Sequence, residues 1–225
     1  MTMFRDRRDA GRQLLTRLPA LEPGRSIVIA LPRGGVPVAD EIARPLGLPL
    51  DVVLVRKVGL PGQPEVAVAA VADGADPAYA INADIARMAG LSTADIMALA
   101  APELAEIERR RKLWQGSRPA VDLAGKTVLV VDDGIATGAT MKVALRALRR
   151  AGAARLILAV PVAPADALAG LSGLADQTIC LAVPDPFVAV GAHYVDFRQV
   201  SDAEVAKVLA ANAGGGGMAP AAPPP

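Results

Sequence analysis

The apolar positions of this chain fall into short, nearly continuous runs separated by longer amphipathic stretches. Residues 26–31, 51–55, 127–131, 155–160 and 178–183 are rich in β-branched side chains and do not alternate with polar ones. Such runs predict strands of a parallel sheet buried on both faces. Between them, residues 36–46 place Val36, Ala39, Ile42, Ala43 and Leu46 at helical spacing. Residues 139–151 place Val143, Ala144, Ala147 and Leu148 on one face, with Gly152 as the stop. Both read as crossover helices, so the pattern predicts an α/β fold with a central parallel sheet flanked by helices. Residues 66–72 and 78–82 read as an antiparallel pair around a short loop. Residues 83–119 form a more polar helical stretch, read as a small hood or lid insertion whose charged run 106–112 is a solvated face.

Length and composition narrow this picture. With 225 residues, 52% of them hydrophobic, the chain can bury one substantial core. A single domain is therefore expected over residues 1–209, with residues 210–225 a disordered Gly/Ala/Pro tail. A formal net charge of +1 provides no global field for nucleic acid or an anionic membrane, so any anion site must be local. The one basic cluster, Arg109 to Lys112 with Trp114, is too short to read as a nucleic-acid surface. Cys180 is the sole cysteine, which excludes an intrachain disulfide, and is expected as a buried strand residue. Residues 1–12 lack the apolar segment of a secretory signal and no run approaches a membrane span, so a cytoplasmic location is expected.

The strongest chemical signal follows the apolar run at 127–131. There Asp132-Asp133-Gly134-Ile135-Ala136-Thr137-Gly138-Ala139-Thr140 puts two carboxylates at a strand's carboxyl end and then turns through two glycines into a helix. Ligands bind at that edge of parallel α/β sheets. The glycines let backbone amides converge, Thr137 and Thr140 offer hydroxyls, and the helix start adds its dipole, so a phosphate fits. No Gly-Lys-Ser/Thr follows, which separates the turn from a Walker A loop. Carboxylates beside a phosphate call for a ligand that also carries hydroxyls, as a ribose 5-phosphate does. Pro32-Arg33-Gly34-Gly35-Val36 repeats the strand, glycine turn and helix order, with one guanidinium. Arg56 and Lys57 precede a loop rich in Gly and Pro that ends near Glu65. No His/Cys/Asp/Glu cluster has the spacing of a protein-held metal site.

The segment from Val128 to Thr140 resembles the motif that binds 5-phosphoribosyl-1-pyrophosphate (PRPP) in type I phosphoribosyltransferases: an apolar strand, two acidic residues, then Gly-x-x-Thr-Gly-x-Thr. By that resemblance Asp132 and Asp133 bind the ribose hydroxyls, while Gly134, Ile135, Ala136, Thr137, Gly138, Ala139 and Thr140 wrap the 5-phosphate. Arg33, Gly34 and Gly35 resemble the family's pyrophosphate loop. Arg56 and Lys57 open a segment similar to its flexible catalytic loop, where Lys57, with Arg56 beside it, is expected to stabilise the departing diphosphate. Magnesium would travel with PRPP rather than be held directly by the protein.

The aromatic side chains, only 3% of the chain, cluster in residues 183–197. Pro184-Asp185-Pro186-Phe187-Val188 resembles the segment that completes the acceptor pocket in purine enzymes of the family, which makes Phe187 and Asp185 acceptor candidates. His193, the sole histidine, reads as a surface or hydrogen-bonded structural residue. The 6-oxopurine enzymes carry a lysine where residues 158–163 have none, which argues against a hypoxanthine or guanine acceptor. Overall the motif order, over roughly residues 4–209, is most similar to a bacterial branch of the family for which the motifs name no acceptor. The resemblance implies an enzyme of nucleotide metabolism, a pentosyltransferase moving a phosphoribosyl group from PRPP to a nitrogen acceptor with release of pyrophosphate. A non-catalytic PRPP or nucleotide sensor and a hydrolase of phosphoribosyl compounds stay open beside it. The N-terminal arm and hood give surface for a homodimer.

Overall fold

The computed structural model describes residues 4–73, 77–116, 118 and 121–212. Its strands, numbered along the chain, are β1 (Ser26–Ala30), β2 (Leu50–Val52), β3 (Val55–Leu60), β4 (Gln63–Ala72), β5 (Ala78–Ile81), β6 (Thr127–Val131), β7 (Arg155–Val162) and β8 (Gln177–Ala182). The helices are α1 (Arg7–Leu15), α2 (Gly35–Leu46), α3 (Ala83–Met88), α4 (Thr93–Gln115), α5 (Ala139–Arg150), α6 (Ala165–Gly170) and α7 (Asp202–Ala211). Five strands form a parallel sheet in the order β2-β1-β6-β7-β8, and β3, β4 and β5 form a separate antiparallel sheet.

The unbroken apolar character of the central strands follows from burial on both faces. In β1 and β6, Val28, Ala30, Leu129 and Val131 enter one core with Val36, Ala39 and Ile42 of α2. The alternate residues Ile27, Ile29, Val128 and Val130 enter another, with Val143, Ala144 and Leu148 of α5. With a side-chain period of two, neither face can tolerate a polar residue, so no alternation survives in the sequence. The chain winds from β1 to β2 in one direction and from β6 through β7 to β8 in the other, so the strand order reverses between β1 and β6. Loops leaving the carboxyl ends of those two strands therefore flank a crevice, the usual ligand position in such sheets.

Four expectations need correction. The supposed loop at 56–65 is a hairpin: Arg56, Lys57 and Val58 pair with Val71, Ala70 and Ala69, and Leu60 pairs with Gln63 across Pro61 and Gly62. Gly62, at φ 76, supplies the positive φ of a turn that Pro61 opens, and the register slips around Gly59. The proposed hood at 83–119 holds α3 and α4, yet its charged run is not all solvated. Arg111 reaches back at 2.5 Å to Asp73 and also donates to the Val52 carbonyl. Helix α7 runs through Ala211, and Asn212 donates to Asp40 at 3.0 Å, so a tail starting at 210 would cut into the helix. The remainder of that expected tail, 213–225, lies outside the described residues. Cys180 sits on β8, an edge strand, and is partly rather than fully buried. No described helix is long and apolar enough to cross a membrane.

Candidate active site

The turn after β6 forms a small cavity of about 130 Å³, lined by Asp132 and the segment from Gly134 to Met141. Ile135 anchors it: the side chain is buried, and its N–H donates to the Val162 carbonyl of β7 at 2.9 Å. Thr137 and Thr140 are exposed at the rim. Gly138 takes a left-handed conformation, φ 75, and starts α5 with no side-chain cap. Helix α2 likewise starts at Gly34 without one. By contrast, α1, α3, α4 and α7 are capped by Asp6, Asn82, Ser92 and Ser201; the short α6, entered from Pro164, is not. Both helices that start beside the β1/β6 crevice therefore point an uncapped positive dipole at it, a feature of an anion site, although at α2 the Gly35 and Val36 N–H groups already donate to the Leu31 and Arg33 carbonyls.

The β1 loop lies against the acidic pair. Leu31 donates to the Val131 carbonyl at 2.9 Å, and the Pro32–Arg33 peptide bond is cis. A Cβ on Gly34 would stand 2.0 Å from an Asp133 carboxylate oxygen, and one on Gly35 would stand 2.7 Å from the Val131 carbonyl oxygen. Only glycine lets the two loops meet this closely.

Burial drives the Asp132 carboxyl well above the ordinary carboxylate range, and the charge on Asp133 pushes the same way. Burial raises Asp133 as well, against the pull of Arg7, whose Nε donates to Asp133 Oδ2 at 2.7 Å. The Tyr194 hydroxyl donates to the Asp133 carbonyl at 2.6 Å, and burial holds that phenol un-ionised. Two adjacent carboxyls in a crevice, each with burial opposing its charge, form a site that hydroxyl donors would draw toward the charged, accepting state.

The other candidates are placed unevenly. Arg33 lies 3.7 Å from Asp202 of α7. Arg56 donates to Glu103 of α4 at 2.7 Å, whereas Lys57 is exposed. Neighbours on a strand face opposite sides, so β3 does not turn both cations toward one diphosphate. Phe187 is half-buried and stacks on His193, centroids 6.0 Å apart, while Asp185 is exposed. His193 is neither at the surface nor fully hydrogen-bonded as expected: it is buried and its Nδ1 has no partner. No group of three or more His, Cys, Asp or Glu suited to a metal occurs among the described residues. Sequence reading missed Arg7 altogether and gave Phe197, one of the clustered aromatics, no role at the site. The signal available for Arg7 was an Asp6 helix cap, which locates α1 but not what α1 touches.

A doubly covered parallel sheet with an acidic pair and a glycine turn at its switch point defines an α/β protein with a candidate phosphate site there. The particular family follows from comparison: the phosphoribosyl transferase domain model matches residues 22–191, and the chain belongs to that family. Two Mycobacterium tuberculosis proteins, from strains CDC 1551 and H37Rv, whose phosphoribosyl transferase names are provisional, are 46% identical over 209 residues. Those matches cover 93% of this chain but 47% of each relative, so the chain spans about half the length of these curated relatives. The crystal structure of TT1426 from Thermus thermophilus superposes with a TM-score of 0.79 at 42% identity, covering 92% of this chain and 98% of that one.

Proposed function

We propose that this protein transfers the phosphoribosyl group of PRPP to a nitrogen acceptor, releasing pyrophosphate. One observation carries the reading: the two uncapped helix starts and the Asp132–Asp133 pair converge on the same crevice between β1 and β6. The 5-phosphate sits in the turn from Gly134 to Thr140 at the N-terminus of α5, and Asp132 and Asp133 accept the ribose hydroxyls. The loop at Arg33, Gly34 and Gly35 faces the diphosphate with the N-terminus of α2. In the reaction the bond from C1 to the diphosphate oxygen breaks, a bond from the acceptor nitrogen to C1 forms, and the nitrogen gives up its proton. Positive charge developing at C1 is offset by the acidic pair beneath the ribose, and the fold supplies position more than covalent chemistry. Magnesium carried in with PRPP neutralises the diphosphate.

Lys57 is the exposed cation of the hairpin and is assigned to the leaving diphosphate; Phe187, with Asp185 beside it, is assigned to a planar acceptor. A place in cytoplasmic nucleotide metabolism goes with this reading. The test is pyrophosphate release from PRPP and magnesium over a panel of purines, pyrimidines and small amines. Acceptor-dependent release by the wild type is expected, lowered by at least about 100-fold in Asp132→Asn/Asp133→Asn protein that still folds. Turnover unchanged in that variant removes the assignment. Free ribose 5-phosphate with no new glycosidic bond makes the protein a hydrolase instead.

A further inference from the structure

Arg7, the first residue of α1, is built into the site more firmly than a surface arginine. Its Nε donates to Asp133 Oδ2 at 2.7 Å, and a terminal nitrogen donates to the Arg198 carbonyl at 2.7 Å. Its guanidinium carbon lies 3.9 Å from the centre of the Phe197 ring. The Arg7 side chain is 11% exposed and that of Asp133 14%, so water screens the pair weakly. Close crossing of α1 over α2 brings it there: a Cβ on Gly11 would stand 2.5 Å from the Val38 carbonyl oxygen. Arg7, Phe197 and Arg198 all lie outside the 22–191 span of the family model, whereas Asp133 lies inside it. The clamp is therefore made by segments of this chain that flank the matched span.

We propose that Arg7 is a positioning residue for the transfer, holding the Asp133 carboxylate by charge and hydrogen bond so that its free oxygen meets the ribose as an acceptor. The inference rests on the reading of Asp133 as a ribose ligand. The charged and titratable groups facing Asp133 are Arg7 from α1, Asp132 from its own turn and Tyr194 from the segment after β8. Asp132 favours the charged form of Asp133 through a side-chain hydrogen bond, but less than Arg7 does, and the Tyr194 hydroxyl is spent on the Asp133 carbonyl rather than the carboxylate. Gly34, packed against the carboxylate from the β1 loop, brings no charge. Arg7 is the cation in this set, and it takes Oδ2 alone, leaving Oδ1 for a hydroxyl donor.

Two measurements on the full chain test this. In ligand-free protein, the Asp133 carboxyl carbon is titrated by NMR in wild type, Arg7→Met and Arg7→Lys. Asp133 is expected to titrate at higher pH in Arg7→Met, with Arg7→Lys between that and wild type. In the pyrophosphate-release assay, Arg7→Met should lose about tenfold or more in kcat/KM near pH 6 and less near pH 8, because its acid limb moves upward. An unchanged Asp133 titration, or the same fractional loss at every pH, would mean that Arg7 only tethers α1, and the inference fails. If Arg7→Met does not fold, Phe197→Leu, which keeps the charge and removes its platform, should move the titration in the same direction by less; no movement overturns the proposal. A wild type that releases no pyrophosphate sinks the transferase reading, yet the titration still decides what Arg7 does to Asp133.

Discussion

The central sheet and the β3–β4 hairpin use glycine and proline in opposite ways. Around the central sheet they stand after the strands, in Pro32, Gly34 and Gly35 and again in Gly134 and Gly138, where they bring backbone amides to the switch point and release two helix N-termini uncapped. In the hairpin they stand within the ladder: Gly59 where the register slips, Pro61 and Gly62 at the turn, Pro64 on the far side. Composition alone does not separate the two. What separates them is where the backbone polar groups go, toward the open crevice in the first case and to the partner strand in the second. The central region should accordingly answer mutation with large losses of stability and site together, and the hairpin with small, purely functional ones.

The largest effect is expected beneath the central sheet's helix layer. Asp40 of α2 is buried, accepts from Arg8 at 3.0 Å, Arg44 at 2.9 Å and Asn212 at 3.0 Å, and so ties α1, α2 and the end of α7 together. Burial pushes its carboxyl upward, but the hydrogen bonds from Asn212, Arg8 and Arg44 outweigh this and leave it below the ordinary aspartate range. Asp40→Ala removes the acceptor these three donors share and should cost about 3 kcal/mol in urea denaturation. The sign with pH follows from the lowered value: the stabilisation is full above the unfolded aspartate range and is lost as pH falls through the folded value. Asp40→Asn should flatten that acid-side slope. An unaltered slope would mean that other carboxylates carry it.

Next comes the floor of the crevice. Gly35→Ala forces a Cβ to within 2.7 Å of the Val131 carbonyl oxygen and 2.9 Å of the Asp132 Cα, both backbone atoms with little room to yield. We expect a loss of about 1–3 kcal/mol, with PRPP affinity by calorimetry falling alongside. Full affinity in a stable Gly35→Ala protein would show that the β1 loop does not touch the ligand.

The same contrast explains what could be read from sequence. The strand β6 and the start of α5 were legible to the residue because a doubly buried strand must be apolar throughout and the turn needs glycine at fixed places. β3 was not, because Gly59 and Pro64 mimic a loop while Val58, its fully buried apolar residue, gives no period to detect. α7 was missed although Ser201 and Glu204 form a capping box, since its last turn runs straight into alanine and glycine. The acidic pair could be recognised, but its counter-ion could not. Arg7 lies 126 residues away in the chain, and nothing in a linear pattern reports a contact set by how α1 crosses α2.

The smallest expected effect tests the hairpin itself. The ion pair between Arg56 and Glu103 is partly exposed, with side chains 35% and 26% accessible, so Glu103→Gln should cost no more than about 1 kcal/mol. Lys57→Ala, at an exposed position paired with Ala70 in the ladder, should change stability by no more than about 0.5 kcal/mol. Their effects on turnover should differ. If the hairpin bends over the crevice when PRPP binds, Lys57→Ala lowers kcat by about tenfold with little change in KM, because the lysine acts on charge that appears as the diphosphate leaves. Glu103→Gln then frees Arg56 and the hairpin from α4 and leaves kcat the same or higher. Lys57→Ala with wild-type kcat would instead make the hairpin a structural brace, its cations held to α4 and solvent, and would confine the chemistry to the two glycine turns of the central sheet.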